Sequence, residues 1–169
     1  MSESKTLAKK SPATSGGGKL RNRILDEMVV DYSSTLEKHF DSAKRFVSIT
    51  KQGAVEVSVK DKVLGRYQVL LYLIGKLYSK EAGLVDSEEV GNAELLERLG
   101  LPEGSLHPLL KQLREEGKII QTKRENNVYH SILPGQIGST LGFVESSIKD
   151  GNLSESTKKA IRQPRKHAE

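Results

Sequence analysis

The stretch that decides the fold, residues 104–119, reads GSLHPLLKQLREEGKI. Its leucines at 106, 109, 110 and 113 recur at the spacing of one helix face, which predicts an amphipathic helix over residues 105–116. We expect Ser105 to cap this helix and Pro108 to fall in its first turn, where the missing N–H costs nothing. Gly117 is expected to end it. The stretch therefore predicts a helix with a buried leucine face and a polar outer face.

The flanking sequence predicts the elements around this helix. Upstream, Asn92 is expected to cap a short helix over residues 93–99, and a turn follows it. Farther upstream, residues 61–82 have a centre that is apolar on every side, which predicts a buried helix. Downstream, residues 118–123 and 128–133 predict two strands joined around Asn126 and Asn127. Helix, short helix, turn, helix and hairpin is the order of a winged helix-turn-helix, a fold that is mainly α with a small β-hairpin (α+β).

Residues 104–119 resemble the recognition helix and the wing entry of PadR-like and MarR-like transcriptional regulators. A glycine and a small hydroxyl residue, Gly104 and Ser105, open the helix. It closes in the pattern Leu113-x-x-x-Gly117-x-Ile119. The resemblance extends over about residues 65–133. It implies a DNA-binding protein whose second helix lies in the major groove.

Candidate DNA-binding residues are the polar ones outside the leucine face and those of the predicted wing. Serine, glutamine and arginine can reach base edges, and lysine can reach phosphates. On the helix these residues are Ser105, His107, Lys111, Gln112 and Arg114, and on the hairpin they are Lys118, Lys123, Arg124, Asn126 and Asn127. Between residues 111 and 125 five basic residues face three acidic ones, a net charge of +2. Because non-specific affinity comes from neutralised phosphates, we expect a monomer to bind DNA weakly.

A long amphipathic helix is predicted over residues 21–49, ahead of the winged helix-turn-helix. Its apolar residues recur at spacings of three and four, which suits packing on its own domain and a homodimer interface equally well. The candidate dimerisation residues are Leu25, Val29, Tyr32, Leu36 and Phe40. A short strand is predicted over residues 54–59. A last helix over residues 136–149 suits either packing within the monomer or dimerisation.

Composition divides the chain into five parts. The composition predicts a disordered basic tail over residues 1–20. The long helix and the short strand are predicted over residues 21–60, and the winged helix-turn-helix over residues 61–133. Residues 134–149 predict the C-terminal helix and residues 150–169 a flexible basic tail. The net charge of +5 arises mainly from the two tails. The lysine-rich N-terminal tail is interpreted either as an arm that wraps DNA or as a solubilising segment.

The sequence disfavours enzymatic and metal chemistry. Cysteine is absent, and the four histidines have no metal-ligand spacing, so we expect no metal, no cofactor and no catalytic residue. His39 and His130 are interpreted as ordinary surface or half-buried residues. No run of about 18 apolar residues occurs, and the N-terminus lacks the apolar core of a secretory signal. We therefore expect no membrane partner and a cytoplasmic protein, associated with the nucleoid if it binds DNA.

The function predicted from these features is transcription regulation by binding double-stranded DNA as a homodimer. The predicted helix would lie in the major groove, with the wing on the backbone or in the minor groove. The alternative is a winged-helix module for protein–protein interaction in a larger assembly, with basic tails that give only non-specific nucleic-acid contact. The near-neutral charge of the middle of the chain favours this alternative, and the fold alone does not decide between the two.

Overall fold

The computed structural model describes residues 17–29 and 32–150 of a chain that divides into two compact units, residues 1–32 and 33–169. The two predicted tails fall mostly on residues 1–16 and 151–169, so those predictions lie outside the described residues. Helix α1 (Gly17–Arg23) nevertheless begins inside the predicted N-terminal tail. Gly17 and Gly18 form the start of this helix. The backbone N–H groups of a first turn have no hydrogen-bond acceptor within the helix.

The prediction of one helix over residues 21–49 is wrong. A π-helical turn, Ile24–Met28, follows α1, and Val29 is extended with φ −81° and ψ 114°. Helix α2 (Tyr32–Ala43) comes next, and the last predicted helical residues instead form strand β1 (Val47–Ile49). The β-branched side chains of this segment suit a strand as well as a helix, and pairing with a neighbouring strand decides the outcome.

Strands β1 and β2 (Val55–Val57) form a small antiparallel sheet, in which Val47 pairs with Val57 and Ile49 with Val55. The predicted strand is thus confirmed over its central residues. The connecting turn needs glycine at position 53, where φ is +85° and a Cβ atom would lie 2.7 Å from Cγ1 of Val85.

Helix α3 (Gly65–Glu81) confirms the predicted buried helix, although it begins four residues later than predicted, and every residue from Val69 to Gly75 is buried. It packs on the β1–β2 sheet through Gly75, where a Cβ atom would lie 2.3 Å from Val55 and 2.6 Å from Val47. The missing side chain is therefore what allows the helix and the sheet to approach so closely. Helix α3 is the centre of the hydrophobic core of this unit.

A second antiparallel sheet has three strands, of which one precedes the next two helices and two follow them. Strand β3 (Val90–Gly91) leads into α4 (Asn92–Leu99), a turn and α5 (Glu103–Glu115). Strands β4 (Ile119–Arg124) and β5 (Asn127–Ile132) then form the predicted hairpin, and the sheet order is β3-β5-β4. Strand β3 is too short to leave a pattern in the sequence, and it was not predicted. The two helices and the hairpin agree with the sequence to within two residues at each end.

The predicted caps of α4 and α5 are wrong. Gly91 holds the N-cap position of α4, and the Asn92 side chain is hydrogen-bonded elsewhere. Helix α5 starts after Pro102, so that Ser105 lies in its first turn. Pro108 consequently falls in the second turn rather than the first. Lacking an N–H, it leaves the carbonyl of residue 104 without its usual helical partner.

Helix α6 (Ile137–Asp150) closes the described chain and packs on α3. Its predicted apolar stripe is buried at Ile137, Leu141 and Val144, and Gly138 lies against the ring of His39. This burial supports packing within the monomer. The fold is thus mixed α and β, with two small antiparallel sheets. Among the described helices, none combines the length and the apolar character needed to cross a membrane.

Candidate nucleic-acid interface

Helix α5 has one buried and one exposed face. Leu106, Leu110 and Leu113 are buried against the core, with Leu109 half-buried. The five polar helix residues predicted to contact DNA are all exposed: Ser105, His107, Lys111, Gln112 and Arg114. The leucine spacing dictates this division, because residues three and four apart share a helix face. The exposed face of α5, defined by these five polar residues, is hereafter called the α5 polar face.

Arg114 connects the α5 polar face to the hairpin. Its guanidinium donates a hydrogen bond to Oε1 of Gln121 on β4, and both side chains are exposed. The chain turns back at Gly117, where φ is +70°, and this reversal brings the end of α5 beside the start of β4. Gln121 thus orients the arginine. Sequence reasoning missed it, although its place just after the helix-ending glycine was a usable signal.

The hairpin ends in a tight two-residue turn that exposes polar side chains. Glu125 and Asn126 both have positive φ, 47° and 68°, and Arg124 pairs with Asn127 across the turn. The turn centre is therefore one residue earlier than predicted, because Asn127 already belongs to β5. Lys118 is half-buried, and the other hairpin residues predicted to contact DNA are exposed: Lys123, Arg124, Asn126 and Asn127.

Acidic residues neighbour the basic ones at this surface. Arg124 Nη2 lies 3.0 Å from the carboxylate of Glu89, a residue just before β3 that the sequence analysis did not single out. Lys111 Nζ lies 4.0 Å from Glu115 Oε1, and both of those side chains are about two-thirds exposed. An exposed pair of that kind contributes little and is easily exchanged for another anion.

Glu116, at the end of α5, is held by a neighbouring helix rather than by the hairpin. The guanidinium of Arg66 on α3 donates a hydrogen bond to its carboxylate. This hydrogen bond lowers the pKa of Glu116, so the residue stays ionised at neutral pH. Glu116 and Arg66 therefore form an ion pair at the C-terminal edge of the α5 polar face.

A buried histidine lies beneath the same surface. His130 on β5 is 2% exposed, and its Nε2 lies 2.7 Å from Oδ1 of Asn92 at the start of α4. Because the amide oxygen accepts, Nε2 carries the proton, and Nδ1 is buried without a hydrogen-bond partner. Burial, with the charges of Arg114 and His107, lowers the pKa of His130 to about 4. The interpretation of His130 as a surface or half-buried residue is therefore wrong, because its partner lies 38 residues away and leaves no local signal.

Polar contacts also fix α4 against α3. The hydroxyl of Tyr72 donates to Glu94 Oε1 over 2.6 Å, and Lys76 Nζ lies 3.2 Å from the same oxygen. Burial and this hydrogen bond raise the pKa of Tyr72 well above its ordinary value. The start of α4 is thus held from two sides, by α3 and by His130.

The five candidate dimerisation residues differ in exposure. Leu25, Val29, Tyr32 and Phe40 are about half exposed, whereas Leu36 is 3% exposed and belongs to the core. The prediction of Leu36 as an interface residue is therefore wrong, because the side chain is already buried by its own unit. The predicted helix is also interrupted at Val29, which is extended.

Within the described residues, no group of three or more histidine, aspartate or glutamate side chains is arranged to hold a metal ion. Comparison with protein-family models, with curated proteins and with solved structures finds no match to this chain. The function must therefore be argued from the surface itself.

Proposed function

We propose that this protein is a winged helix-turn-helix regulator that binds double-stranded DNA through the α5 polar face. The observation that carries the proposal is the exposure of all five predicted helix residues on one helix whose other face is buried. The element order and the sheet order β3-β5-β4, in which the hairpin follows α5 directly, support it. Transcription regulation in the cytoplasm, at the nucleoid, is the role that this binding mode suits.

The dimensions and chemistry of α5 suit the major groove. Thirteen helical residues span about 20 Å at ~1.5 Å per residue, and a groove about 12 Å wide admits one α-helix. Arg114 and Gln112 carry the donors that bind purine edges, and Lys111 carries a charge for phosphate. The exposed hairpin residues Lys123 and Arg124 supply further phosphate contacts.

Binding requires an exchange of partners at two basic residues. Arg124 would leave or share Glu89, and Lys111 would leave Glu115, in favour of phosphate oxygens. The exchange costs little free energy at Lys111, because its ion pair with Glu115 is exposed and the two charged atoms are 4.0 Å apart. Because the excess of positive charge on this surface is small, a monomer would bind DNA weakly. A homodimer doubles the contacts and creates two half-sites about 34 Å apart.

The acidic residues favour a second candidate function, a surface for a protein partner. Glu115 is exposed at the end of α5 and would repel phosphates, whereas Glu116 is already paired with Arg66. A partner with a basic side chain would meet Glu115 beside Lys111. Discriminating the two functions requires a direct measurement of DNA affinity.

The test is a fluorescence-anisotropy titration of the full chain with a labelled duplex of mixed sequence at low salt. We expect Lys111→Ala combined with Arg114→Ala to weaken binding by more than tenfold, since each contact contributes about 1–3 kcal/mol. The matched control is Lys38→Ala with Lys51→Ala, which removes two exposed charges from other elements. The control should change the affinity by less than about threefold.

Equal affinities for the two double variants would contradict the role of the α5 polar face. If the wild-type chain fails to bind duplex at low salt, the DNA proposal is overturned and the protein-partner function is favoured. Circular dichroism of each variant verifies that it is folded before affinities are compared.

A further inference from the structure

We propose that the second unit binds a small organic cation, whose apolar body enters an apolar cavity while its ammonium group lies beside neighbouring carboxylates. The inference goes beyond the proposed function and does not depend on it. It commits to one occupant, a free small-molecule amine. Two adjoining cavities within the second unit, one apolar and one acidic, carry it.

The first cavity lies between α2, β1 and the end of α3, and it measures about 160 Å³. It is lined by Phe40, Ala43, Lys44, Val47, Ile49 and Tyr78. A protein cavity of roughly 150 Å³ with an apolar lining takes up benzene. The hydroxyl of Tyr78 donates to the carbonyl oxygen of Leu36 over 2.6 Å, so the polar group of this side chain is already engaged. A benzene-sized group therefore fits this space, which we call the apolar cavity.

A second, wider cavity adjoins the first, because Phe40 and Tyr78 line both. Its lining contains three carboxylates, those of Glu37, Asp41 and Glu81. Lys44 offsets one of them, since its Nζ lies 2.5 Å from Oδ1 of Asp41. Three carboxylates and one ammonium group give the two linings together a net charge of −2. We call the second space the acidic cavity.

The spacing along α2 brings carboxylates close to the ring of Phe40. Glu37 precedes Phe40 by three residues and Asp41 by four, so Glu37 neighbours both on the helix surface, with Cβ atoms about 5–6 Å apart. Glu81 comes from the end of α3, and the hydroxyl of Ser33 donates to its Oε1 over 3.0 Å. Phe40 is 51% exposed, so its ring is accessible from solvent. An ammonium group a few bonds from an aromatic ring can therefore meet a carboxylate while the ring occupies the apolar cavity.

Lys44 already places an ammonium group in these surroundings. Its Nζ lies 5.5 Å from the centroid of the Phe40 ring, within the range of a cation–π contact. Its hydrogen bond to Asp41 lowers the pKa of that carboxyl, which stays ionised at neutral pH. A bound amine would make the same two kinds of contact, with the ring of Phe40 and with the carboxylates of Glu37 and Glu81. Charge complementarity therefore favours a cation over a neutral molecule or an anion of the same shape.

The experiment is a 1H–15N NMR titration of the full chain at low salt with three probes that share a phenyl group. The probes are 2-phenylethylamine, which is a cation, 2-phenylethanol, which is neutral, and 3-phenylpropionate, which is an anion. The readout is the dissociation constant of each probe, from the shift changes of residues 40–49 and 78. Low salt limits the screening of exposed charges.

We expect the amine to bind with a dissociation constant of about 1 mM or tighter, which a ligand of this size allows. The alcohol should bind about threefold to fivefold more weakly, because contacts with exposed carboxylates contribute modestly. The anion should bind at least about tenfold more weakly, because the same carboxylates repel it.

A charge variant tests the acidic cavity. Glu37→Gln combined with Glu81→Gln should bring the affinities of the three probes within about threefold of one another, because the preference for a cation arises from these two carboxylates. The matched control is Glu97→Gln combined with Glu103→Gln, which removes two exposed carboxylates from α4 and α5. This control should retain the preference for the amine.

An aromatic variant tests the apolar cavity. Phe40→Ala should weaken binding of the amine by about fivefold or more, since it removes an aromatic contact and a cation–π contact. The matched control is Phe143→Ala on α6, an aromatic residue that is 43% exposed and lines neither cavity. The control should leave the affinity unchanged within about twofold.

Equal affinities of the wild-type chain for the amine and the anion would overturn the proposal. An absence of shift changes at residues 40–49 and 78 with 10 mM amine, about ten times the expected dissociation constant, would overturn it as well. Shifts of the same residues that change when the protein alone is diluted would assign the cavities to a second copy of the chain and would also contradict it. None of these results bears on DNA affinity, which the anisotropy titration measures separately.

Discussion

Helices α3 and α5 belong to the same unit and differ in how much of their surface the rest of the chain covers. Helix α3 buries nine of its seventeen residues, including a continuous run from Val69 to Gly75. Helix α5 buries three of thirteen, all of them leucines on one side. A helix covered on every side can only support its neighbours, whereas a helix covered on one side has a surface left for a partner.

The chemistry of the two helices follows this difference. Helix α3 has glycine and aliphatic residues where it meets the β1–β2 sheet, and its buried tyrosine finds a carboxylate partner in Glu94. Helix α5 has arginine, lysine, glutamine, serine and histidine on its exposed side. Substitutions in α3 should therefore affect stability, and substitutions on the α5 polar face should affect binding.

The largest effect is expected from Leu70→Ala in α3. Leu70 is fully buried, so losing its side chain should lower the free energy of unfolding by about 2–5 kcal/mol. Lys111→Ala on the α5 polar face should change it by less than about 0.5 kcal/mol, because the residue is exposed and its ion pair is weak. Urea denaturation followed by circular dichroism measures both. Similar losses for the two variants would remove the distinction between the helices.

A second large effect is expected from pH, through the histidine beneath the α5 polar face. The pKa of His130 is lowered to about 4 in the folded protein, against about 6.5 when unfolded. The unfolded chain therefore binds the proton more tightly, and stability is lost as pH falls from about 6.5 towards 4. The loss amounts to about 3 kcal/mol over that window, at ~1.36 kcal/mol per unit.

Urea denaturation between pH 7 and pH 4.5 tests this prediction with His130→Gln and the control His39→Gln. The His130 variant should flatten the pH dependence, whereas the control, at a half-buried position on α2, should retain it. A slope unchanged by His130→Gln would show that other groups cause the acid lability.

A smaller effect is expected from Gly75→Ala at the contact between α3 and the β1–β2 sheet. The new methyl group would overlap the side chains of Val47 and Val55, which costs about 1–3 kcal/mol. The higher helix propensity of alanine offsets up to about 1 kcal/mol of this cost. Gly142→Ala in α6 is the matched control, because its Cβ atom would meet nothing within 4 Å. Thermal denaturation should show a lower Tm for the first variant and an equal or higher Tm for the control.

The sequence predicted the elements whose signals are local. The apolar run of α3, the leucine face of α5 and the β-branched strands of the hairpin each identify an element over at least six residues. The exposure of the five residues of the α5 polar face followed from the leucine positions alone. These parts of the fold and of the candidate site needed no information about distant contacts.

The features that the sequence did not predict depend on residues far apart in the chain. Strand β1 forms because Val47 and Ile49 pair with β2, which overrides a helical spacing. The partner of His130 is 38 residues away, and the partner of Arg124 is 35 residues away. Spacing within a segment carries no information on such contacts, so the buried histidine and the acidic partner of the hairpin were missed.

The most direct test of the DNA interface is a 1H–15N NMR titration of the full chain with duplex DNA at low salt. We predict that the largest shift changes fall on residues 103–116 and 123–127, with little change at β1 and β2. Changes confined to β1 and β2 or to residues 17–29, with α5 unaffected, would contradict the proposal that the α5 polar face binds DNA.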